Sequence, residues 1–282
     1  MLKSASRSTT RRRWGQNFLV NAGACDAIVD AFRPSAEDRV IEIGPGDGAL
    51  TRRLIDRVGR LRAVEVDPAL AERLERDLNL AGGGKAAIVR GDILAIDLAA
   101  LLDEVGSVPG RPARVIANLP YNIASAVILR LLPESHRLRD LLLMVQREVA
   151  GRIAAAPRSK AYGSLSVLCQ TAAHIDSVLR LGPGSFRPRP RVDSEVIHLR
   201  LKHPPPIDGP GRHALSALLR IAFAHRRKTI QNNLAASVGH LDAGRLIREA
   251  GLSPGMRPEE IAVEQFVILS RLWTERRDGG RP

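Results

Sequence analysis

An Asn-Leu-Pro-Tyr tetrapeptide at 118–121 directly follows the apolar run at 115–117, so it stands where a buried strand ends in a loop. The amide oxygen of Asn118 and the backbone carbonyl of Leu119 are two neighbouring hydrogen-bond acceptors, and the ring of Tyr121 is a surface on which a planar base can stack. Two acceptors that face an exocyclic amine draw its hydrogens out of the ring plane and leave the nitrogen lone pair nucleophilic. The tetrapeptide therefore predicts alkylation of an adenine or cytosine amine, although the same residues could simply begin a helix with Asn118 as its cap.

Other strand ends supply groups that suit an adenosine-containing cofactor. A β-branched run at 39–43 leads into a glycine turn at 44–48, where the missing side chains let the backbone approach a ligand closely. Glu65 lies in the next strand, where a carboxylate can accept from two ribose hydroxyls, and Asp92 follows a third, where it can accept from an adenine amine. Either acid taken singly could be a plain surface residue. The Gly-x-Gly-x-Gly spacing differs from the dinucleotide-binding Gly-x-Gly-x-x-Gly, so a nicotinamide cofactor is not favoured.

The alternation of strands and helices from 39 to 181 predicts an α/β fold with a largely parallel sheet and helices on both faces. A strand at 196–201 closes this domain, and a proline-rich linker at 202–206 follows. Beyond the linker, apolar residues at helical spacing predict a helix that starts near Leu215 and runs on to Leu234, then shorter helices. We expect three regions: a basic arm at 1–14, the α/β domain at 15–203 and a small helical domain at 204–282.

The charge of the chain indicates its class of partner. It carries 43 Lys and Arg against 30 Asp and Glu, a formal net charge of +13. This excess of positive charge predicts that the binding partner is a nucleic acid, although a solvated arginine-rich surface would give the same composition. A proline-rich stretch at 185–194 contains an aromatic ring, on which an unpaired base could stack, and guanidinium groups, which could bind phosphates. A second segment, 223–234, contains further cationic residues. The candidate residues are Phe186, Arg187, Arg189 and Arg191 in the first stretch and Arg226, Arg227 and Lys228 in the second.

Cysteine content and hydropathy bear on the compartment. Cys25 and Cys169 are the only cysteines and have no metal-ligand spacing, so we expect a reducing compartment, the cytoplasm, and no metal site. No apolar run is long enough to span a membrane. The segment at 1–14 superficially resembles a transit peptide but is short, so we interpret it as a basic arm.

Nine motifs along almost the whole chain resemble, in order, those of the bacterial ribosomal RNA small-subunit adenine dimethyltransferases. One small departure is Gln231, where we would expect a basic residue, and it bears on at most one contact with RNA. The motifs are GQNFL at 15–19, EIGPGxGxLT at 42–51, VEVD at 64–67, GD at 91–92, NLPYNI at 118–123, QxEVxxR at 146–152, YGxLSV at 162–167, FxPxPxVDS at 186–194 and FxxRRKT at 223–229.

The resemblance implies a Rossmann-like methyltransferase domain that uses S-adenosylmethionine. It implies that Asn17 and Leu19 line the cofactor, that Gly44 and Gly46 approach its methionine end, and that Glu65 and Asp92 hold its ribose and adenine. Asn118 would hold the target amine together with the carbonyl of Leu119, next to Pro120, while Tyr121 and Phe186 sandwich the flipped base.

The substrate that the resemblance implies is a pair of adjacent adenosines in a hairpin loop near the 3′ end of the small-subunit rRNA. Each would receive two methyl groups during subunit assembly. Because this partner is so large, we expect the protein itself to act as a monomer. Two alternatives stay open: a large-subunit rRNA methyltransferase of the antibiotic-resistance class, and a nucleic-acid-binding factor that kept the fold without catalysis. The segment at 223–229 favours the small-subunit enzyme, and intact Asn118, Tyr121 and Glu65 favour catalysis.

Overall fold

The computed structural model describes residues 16–81 and 84–279, so the basic arm predicted at 1–14 lies outside the described residues. Two compact units divide the chain. The first contains the described residues up to Ala150 together with Ile175–Leu201. The second contains Gly151–His174 and the described residues from Lys202 onward.

A seven-stranded sheet forms the centre of the first unit. The first and eighth strands of the chain form a separate two-stranded sheet. Residues such as Val40, Ile41 and Val115 are completely buried, as expected for parallel strands that are covered on both faces. The strands are β1 (Phe18–Leu19), β2 (Arg39–Ile43), β3 (Arg60–Glu65), β4 (Ala86–Arg90), β5 (Ala113–Asn118), β6 (Leu138–Gln146), β7 (Ala173–Leu181), β8 (Phe186–Arg187) and β9 (Ser194–Leu201).

The strand order of the large sheet is β4-β3-β2-β5-β6-β9-β7. Neighbours from β4 to β6 are parallel, whereas β9 runs antiparallel to β6. The carboxyl ends of β4, β3, β2, β5 and β6 therefore lie in a row along one edge, and the start of β9 joins them there. This mainly parallel sheet confirms the predicted α/β fold class.

Helices connect these strands. Asn21 caps the first of them by accepting from the amide of Ala24 at 3.0 Å, and Asp97 caps the fourth in the same way. The helices are α1 (Ala22–Phe32), α2 (Thr51–Leu54), α3 (Pro68–Ala81), α4 (Leu98–Val105), α5 (Ala124–Leu131) and α6 (Arg147–Ile153), the last of which leads into the second unit. None of the helices within 16–81 and 84–279 has the length and apolar character needed to cross a bilayer.

The second unit is helical. Two of its helices contact each other and bury apolar side chains, such as Leu215 and Leu219 on one and the ring of Phe266 on the other. Phe223 contacts that ring at a centroid distance of 5.6 Å and the buried ring of Tyr162 at 6.3 Å. The helices are α7 (Ser164–Ala172), α8 (Gly209–Ala222), α9 (Ile230–Val238), α10 (His240–Glu249) and α11 (Val263–Gly279).

The structure differs from the sequence predictions in several places. The second unit includes Gly151–His174, so its boundary does not fall at residue 203 alone. The long helix predicted up to Leu234 is two helices, because the side chain of Thr229 accepts from the amide of Asn232 at 3.3 Å and begins α9 anew.

Candidate active site

One cavity of about 270 Å³ opens at the carboxyl ends of β3, β2 and β5, beside the loop that follows β4. It gathers ten of the residues singled out in the sequence from segments far apart in the chain. They are Asn17, Leu19, Gly44, Gly46, Glu65, Asp92, Asn118, Leu119, Pro120 and Tyr121.

The floor of the cavity is the glycine turn after β2. Gly44 and Gly46 have φ angles of +68° and +57°, in the left-handed region that favours glycine. A Cβ built on Gly46 would stand 3.0 Å from the ring of Phe18, closer than side chains normally approach, whereas a Cβ on Gly44 would be 3.8 Å from its nearest neighbour, the carbonyl oxygen of Asn118. Both glycines line the cavity without a side chain, so a ligand there can approach the backbone of the turn.

Glu65 ends β3 and is 2% exposed. Its Oε2 accepts from the amide of Gly46 and its Oε1 from the amide of Asp67, both at 3.0 Å. Burial raises the pKa of this carboxyl, while these two hydrogen bonds lower it. Since each oxygen has a second lone pair, the anchored carboxylate can also accept from two hydroxyls of a ligand.

Asp92 is exposed at the rim of the cavity. Its Oδ1 accepts from the amide of Leu94 at 2.9 Å, which stabilises the turn after β4. Its second carboxylate oxygen makes no hydrogen bond or ion pair with the part of the chain that the structure describes. Asp92 therefore combines a structural role with a free acceptor.

The geometry of Asn118 fixes which way its amide points. Its Nδ2 donates to the backbone carbonyl of Asn17 at 3.0 Å. A carbonyl only accepts, so the group that faces it must be the amide NH2, and Oδ1 points the other way. The carbonyl of Leu119, the next residue, accepts no hydrogen bond from the described residues, so both predicted acceptors are without a donor there.

The two aromatic residues predicted to sandwich a base differ in exposure. Tyr121 lines the cavity, and its hydroxyl is 2.6 Å from Oγ of Ser194, which fixes the ring; burial raises the pKa of this hydroxyl. The ring of Phe186, by contrast, is 1% exposed and packs in the core with Leu19 and Val196. The proposed sandwich is therefore not assembled here, because β8 pairs with β1 and turns Phe186 inward.

Sequence reasoning gave no role to Glu42, an acid in the apolar strand β2. The side chain lines the cavity at 2% exposure, and its Oε2 has no hydrogen-bond partner among the residues that the structure describes. Burial, together with the nearby carboxylate of Glu65, raises its pKa to about 7 against the opposing effect of hydrogen bonds from Thr51. The sequence contains a sign of such a role, because a carboxylate inside a buried run of β-branched residues is unusual and calls for a functional explanation.

Residues 7–275 match the profile of the family described as ribosomal RNA adenine dimethylase. This chain belongs to that family. The ribosomal RNA small subunit methyltransferase A of Ralstonia nicotianae is 41% identical over 278 residues, which cover 96% of this chain and 93% of that protein. The protein of the same name from Syntrophotalea carbinolica is 40% identical over 93% of this chain and 96% of its own length.

Solved structures support the fold of this dimethylase family member. A dimethyladenosine transferase from Plasmodium falciparum superposes with a TM-score of 0.77 at 22% identity, covering 93% of this chain and 98% of that one. The 23S rRNA methyltransferase ErmE gives a TM-score of 0.64 at 24% identity, covering 91% and 99%. At these identities the likeness establishes the architecture alone.

The basic residues predicted to bind RNA are exposed in this family member but belong to different units. Arg187, Arg189 and Arg191 lie on the first unit between β8 and the start of β9. On the second unit, Arg226, Arg227 and Lys228 occupy the turn between α8 and α9, not the continuous helix that was predicted.

A second cationic loop lies beside that turn. The guanidinium of Arg226 donates to the backbone carbonyl of Lys160 at 3.0 Å and pairs with Glu259 at 3.4 Å. Arg158, in the same loop as Lys160, has a φ of +69° and donates its amide to the carbonyl of Glu259 at 2.7 Å. The second unit thus joins two basic loops that are distant in sequence. Among the described residues, no cluster of His, Cys, Asp and Glu is arranged to hold a metal ion.

Proposed function

We propose that this protein transfers methyl groups from S-adenosylmethionine to N6 of two adjacent adenosines in the 3′-terminal hairpin loop of small-subunit rRNA. The products are N6,N6-dimethyladenosines, formed during assembly of the small ribosomal subunit in the cytoplasm by a monomeric enzyme. The observation that carries the proposal is the orientation of Asn118. The bond from its Nδ2 to the carbonyl of Asn17 leaves Oδ1 as an acceptor, and the carbonyl of the next residue, Leu119, would be the second.

The cavity fits S-adenosylmethionine by the chemistry of its lining. Glu65 would accept from the ribose hydroxyls and Asp92 from the adenine amine, while Gly44 and Gly46 leave space for the methionine end. The unpartnered Oε2 of Glu42 suits an N–H donor such as an ammonium group. When bound, S-adenosylmethionine supplies a methyl group on a positively charged sulfur.

Asn118 and Leu119 would act on the target amine by position. Two acceptors hold the two N–H groups of N6, so the nitrogen lone pair conjugates less with the ring and points toward the methyl group. Catalysis of this kind relies on alignment and needs no strong base, because the alkylated nitrogen is acidic enough to lose its proton to water. Tyr121, fixed by Ser194, offers the stacking surface for the flipped base.

RNA would be held by phosphate contacts from the exposed cations on both units. Arg187, Arg189 and Arg191 would act near the target base, and Arg226, Arg227 and Lys228 at a separate part of the RNA. Such contacts position a substrate without reading its sequence. The names of the relatives, ribosomal RNA small subunit methyltransferase A, support this class of RNA as the substrate.

The deciding experiment incubates the protein with labelled S-adenosylmethionine and small subunits from cells that lack the modification. Nuclease digestion and mass spectrometry then locate the label. Dimethyladenosine in the 3′-terminal hairpin is the expected product. Label confined to large-subunit RNA would assign the protein to the resistance class, and binding without transfer would favour the non-catalytic factor.

Variants of the tetrapeptide test the roles within it. Asn118→Ala should abolish most of the transfer rate while S-adenosylmethionine, measured by calorimetry, still binds. Tyr121→Ala should weaken capture of the target base by about 1–3 kcal/mol, since a stacking contact is lost. The matched control is Tyr121→Phe, which keeps the ring and loses only the bond to Ser194; equal loss in both Tyr121 variants would contradict stacking.

A further inference from the structure

A second cavity lies further along the same sheet edge, where β6 ends and β9 begins. It is an open cavity of about 560 Å³. Its lining residues are Gln146, Arg147, Glu148, Arg191, Val192 and Asp193.

The charged groups of this cavity are poorly paired. Arg191 and Glu148 are both exposed, and neither side chain makes an ion pair or a hydrogen bond with the described residues. Arg147 and Asp193 approach each other only to 3.9 Å, and both are more than half exposed. This cavity is therefore lined by a cation and a carboxylate that do not pair with each other. Both groups are available to a ligand that has an anion at one end and N–H donors at the other.

The apolar content of the cavity adds a third property. Val192 is 44% exposed, between Arg191 and Asp193. An exposed valine face next to a guanidinium group can cover one side of a planar ring. The combination of cation, apolar face and acceptor matches the phosphate, base and amino group of one nucleotide.

The position of the cavity connects it to the candidate active site. The amide of Arg147 donates to the carbonyl of Asp193 at 3.0 Å, and the next residue, Ser194, holds the hydroxyl of Tyr121 at 2.6 Å. Strand β6 lies directly between β5, which ends at Asn118, and β9. The two cavities are thus about 10 Å apart, because neighbouring strands are spaced by about 4.8 Å.

We propose that this second cavity binds the nucleotide adjacent to the adenosine being methylated. Arg191, with Arg147 beside it, contacts the phosphate, Val192 covers the base, and Glu148 accepts a hydrogen bond from the exocyclic amine. The proposal rests on the proposed function and adds a preference to it. An adenine at the neighbouring position presents an amine to Glu148, whereas uracil presents a carbonyl oxygen that a carboxylate repels.

The test combines enzyme variants with substrate variants. Small subunits are prepared whose adenosine next to the target is kept or replaced by uridine, and methyl transfer to the remaining target is measured. Wild type should show a KM about tenfold lower for the adenosine substrate, as expected for one charge-assisted hydrogen bond. Glu148→Gln, whose amide can donate to uracil, should reduce this preference to near unity without changing affinity for S-adenosylmethionine.

Arg191→Ala should raise KM about tenfold on both substrates through loss of the phosphate contact and leave kcat unchanged. The control variants are Arg111→Ala and Glu37→Gln, which change the same charges at the opposite end of the strands. Both control side chains are more than half exposed. If Arg191→Ala resembles Arg111→Ala, or if Glu148→Gln keeps the preference for adenosine, the proposal is overturned.

A binding measurement separates this proposal from the proposed function. Fluorescence anisotropy of a labelled rRNA hairpin, with adenosine or uridine beside the target, reports the subsite without any transfer. If methyl transfer is absent but hairpin binding still depends on Arg191 and Glu148, the proposed function is refuted and the subsite is not. Normal transfer with no such dependence would refute the subsite alone.

Discussion

Replacing Arg114 by methionine should destabilise the first unit by about 3–5 kcal/mol, the cost of leaving buried charges without their partner. Arg114 lies in β5 with a side chain that is 4% exposed. Its guanidinium donates two hydrogen bonds of 2.7 Å to the carboxylate of Asp140, in a bidentate arrangement, and one of 2.8 Å to Asp38. Its remaining donors reach the backbone carbonyls of Arg33 at 3.2 Å and Phe32 at 2.6 Å.

The pH dependence of this loss follows from Asp140. Burial alone would raise the pKa of Asp140, but hydrogen bonds from His198 and Arg114 lower it from its ordinary 3.8 to about 2. A carboxyl whose pKa is lower in the native state stabilises that state above the unfolded pKa and loses the effect as pH falls through the native pKa. The difference corresponds to about 2 kcal/mol, present at pH 5 and above and lost by pH 2.

The gap in stability between the two proteins should therefore narrow in acid by up to about 2 kcal/mol. Urea unfolding from pH 2 to 7, with hydrogen exchange at the amides of β5 and β6 as the local readout, measures the gap between wild type and Arg114→Met. Arg76→Met is the matched control, since Arg76 forms an exposed pair with Glu72 within one helix and should cost at most about 0.5 kcal/mol. A gap no larger than that of the control, or one that stays constant down to pH 2, would refute the reasoning.

Three further predictions concern single buried contacts. The raised pKa of Glu42, from 4.5 to about 7, means that the native state binds more protons, so stability should fall by about 3 kcal/mol as pH rises through this range. Glu42→Gln should flatten that decline in urea unfolding, and an unchanged slope would contradict it. Gly46→Ala should cost about 1–2 kcal/mol because its φ is +57° and its Cβ meets the ring of Phe18, and calorimetry should show weaker binding of S-adenosylmethionine; unaltered binding would contradict the close approach. Tyr162→Phe removes a buried 2.9 Å hydrogen bond to the carbonyl of Ile261, so hydrogen exchange should show the second unit weakened by about 1–3 kcal/mol, and unchanged protection would exclude that contribution.

Much of the fold and the lining of the cavity could be predicted from the sequence. The reason is that parallel strands bring their carboxyl ends to one edge, so local patterns at Gly44, Glu65, Asp92 and Asn118 imply their spatial proximity. The family resemblance is confirmed by the match over residues 7–275. The roles of the individual residues stay predictions.

What the sequence could not show depended on distant contacts. Phe186 looked like an exposed ring in a proline-rich loop, but its pairing with Leu19 across β1 and β8 buries it. The helix predicted to continue to Leu234 has good local periodicity, yet Thr229 caps a new helix there. The presence of Arg191 and Glu148 at one cavity depends on β9 lying beside β6, which no local pattern reveals.

The division of the second unit into two chain segments has a consequence for how this protein is made. Its first segment, Gly151–His174, is synthesised before the last strand of the sheet, while its apolar partners come only after Lys202. Helix α7 carries buried side chains such as Leu165 and Val167, and it packs against α8 and α11. A nascent chain, or a fragment cut at residue 203, therefore presents this helix without cover, and such an exposed apolar surface promotes aggregation. To express the sheet as an isolated catalytic fragment, one would therefore have to shorten the segment Gly151–His174 and also remove the residues from Lys202 onward.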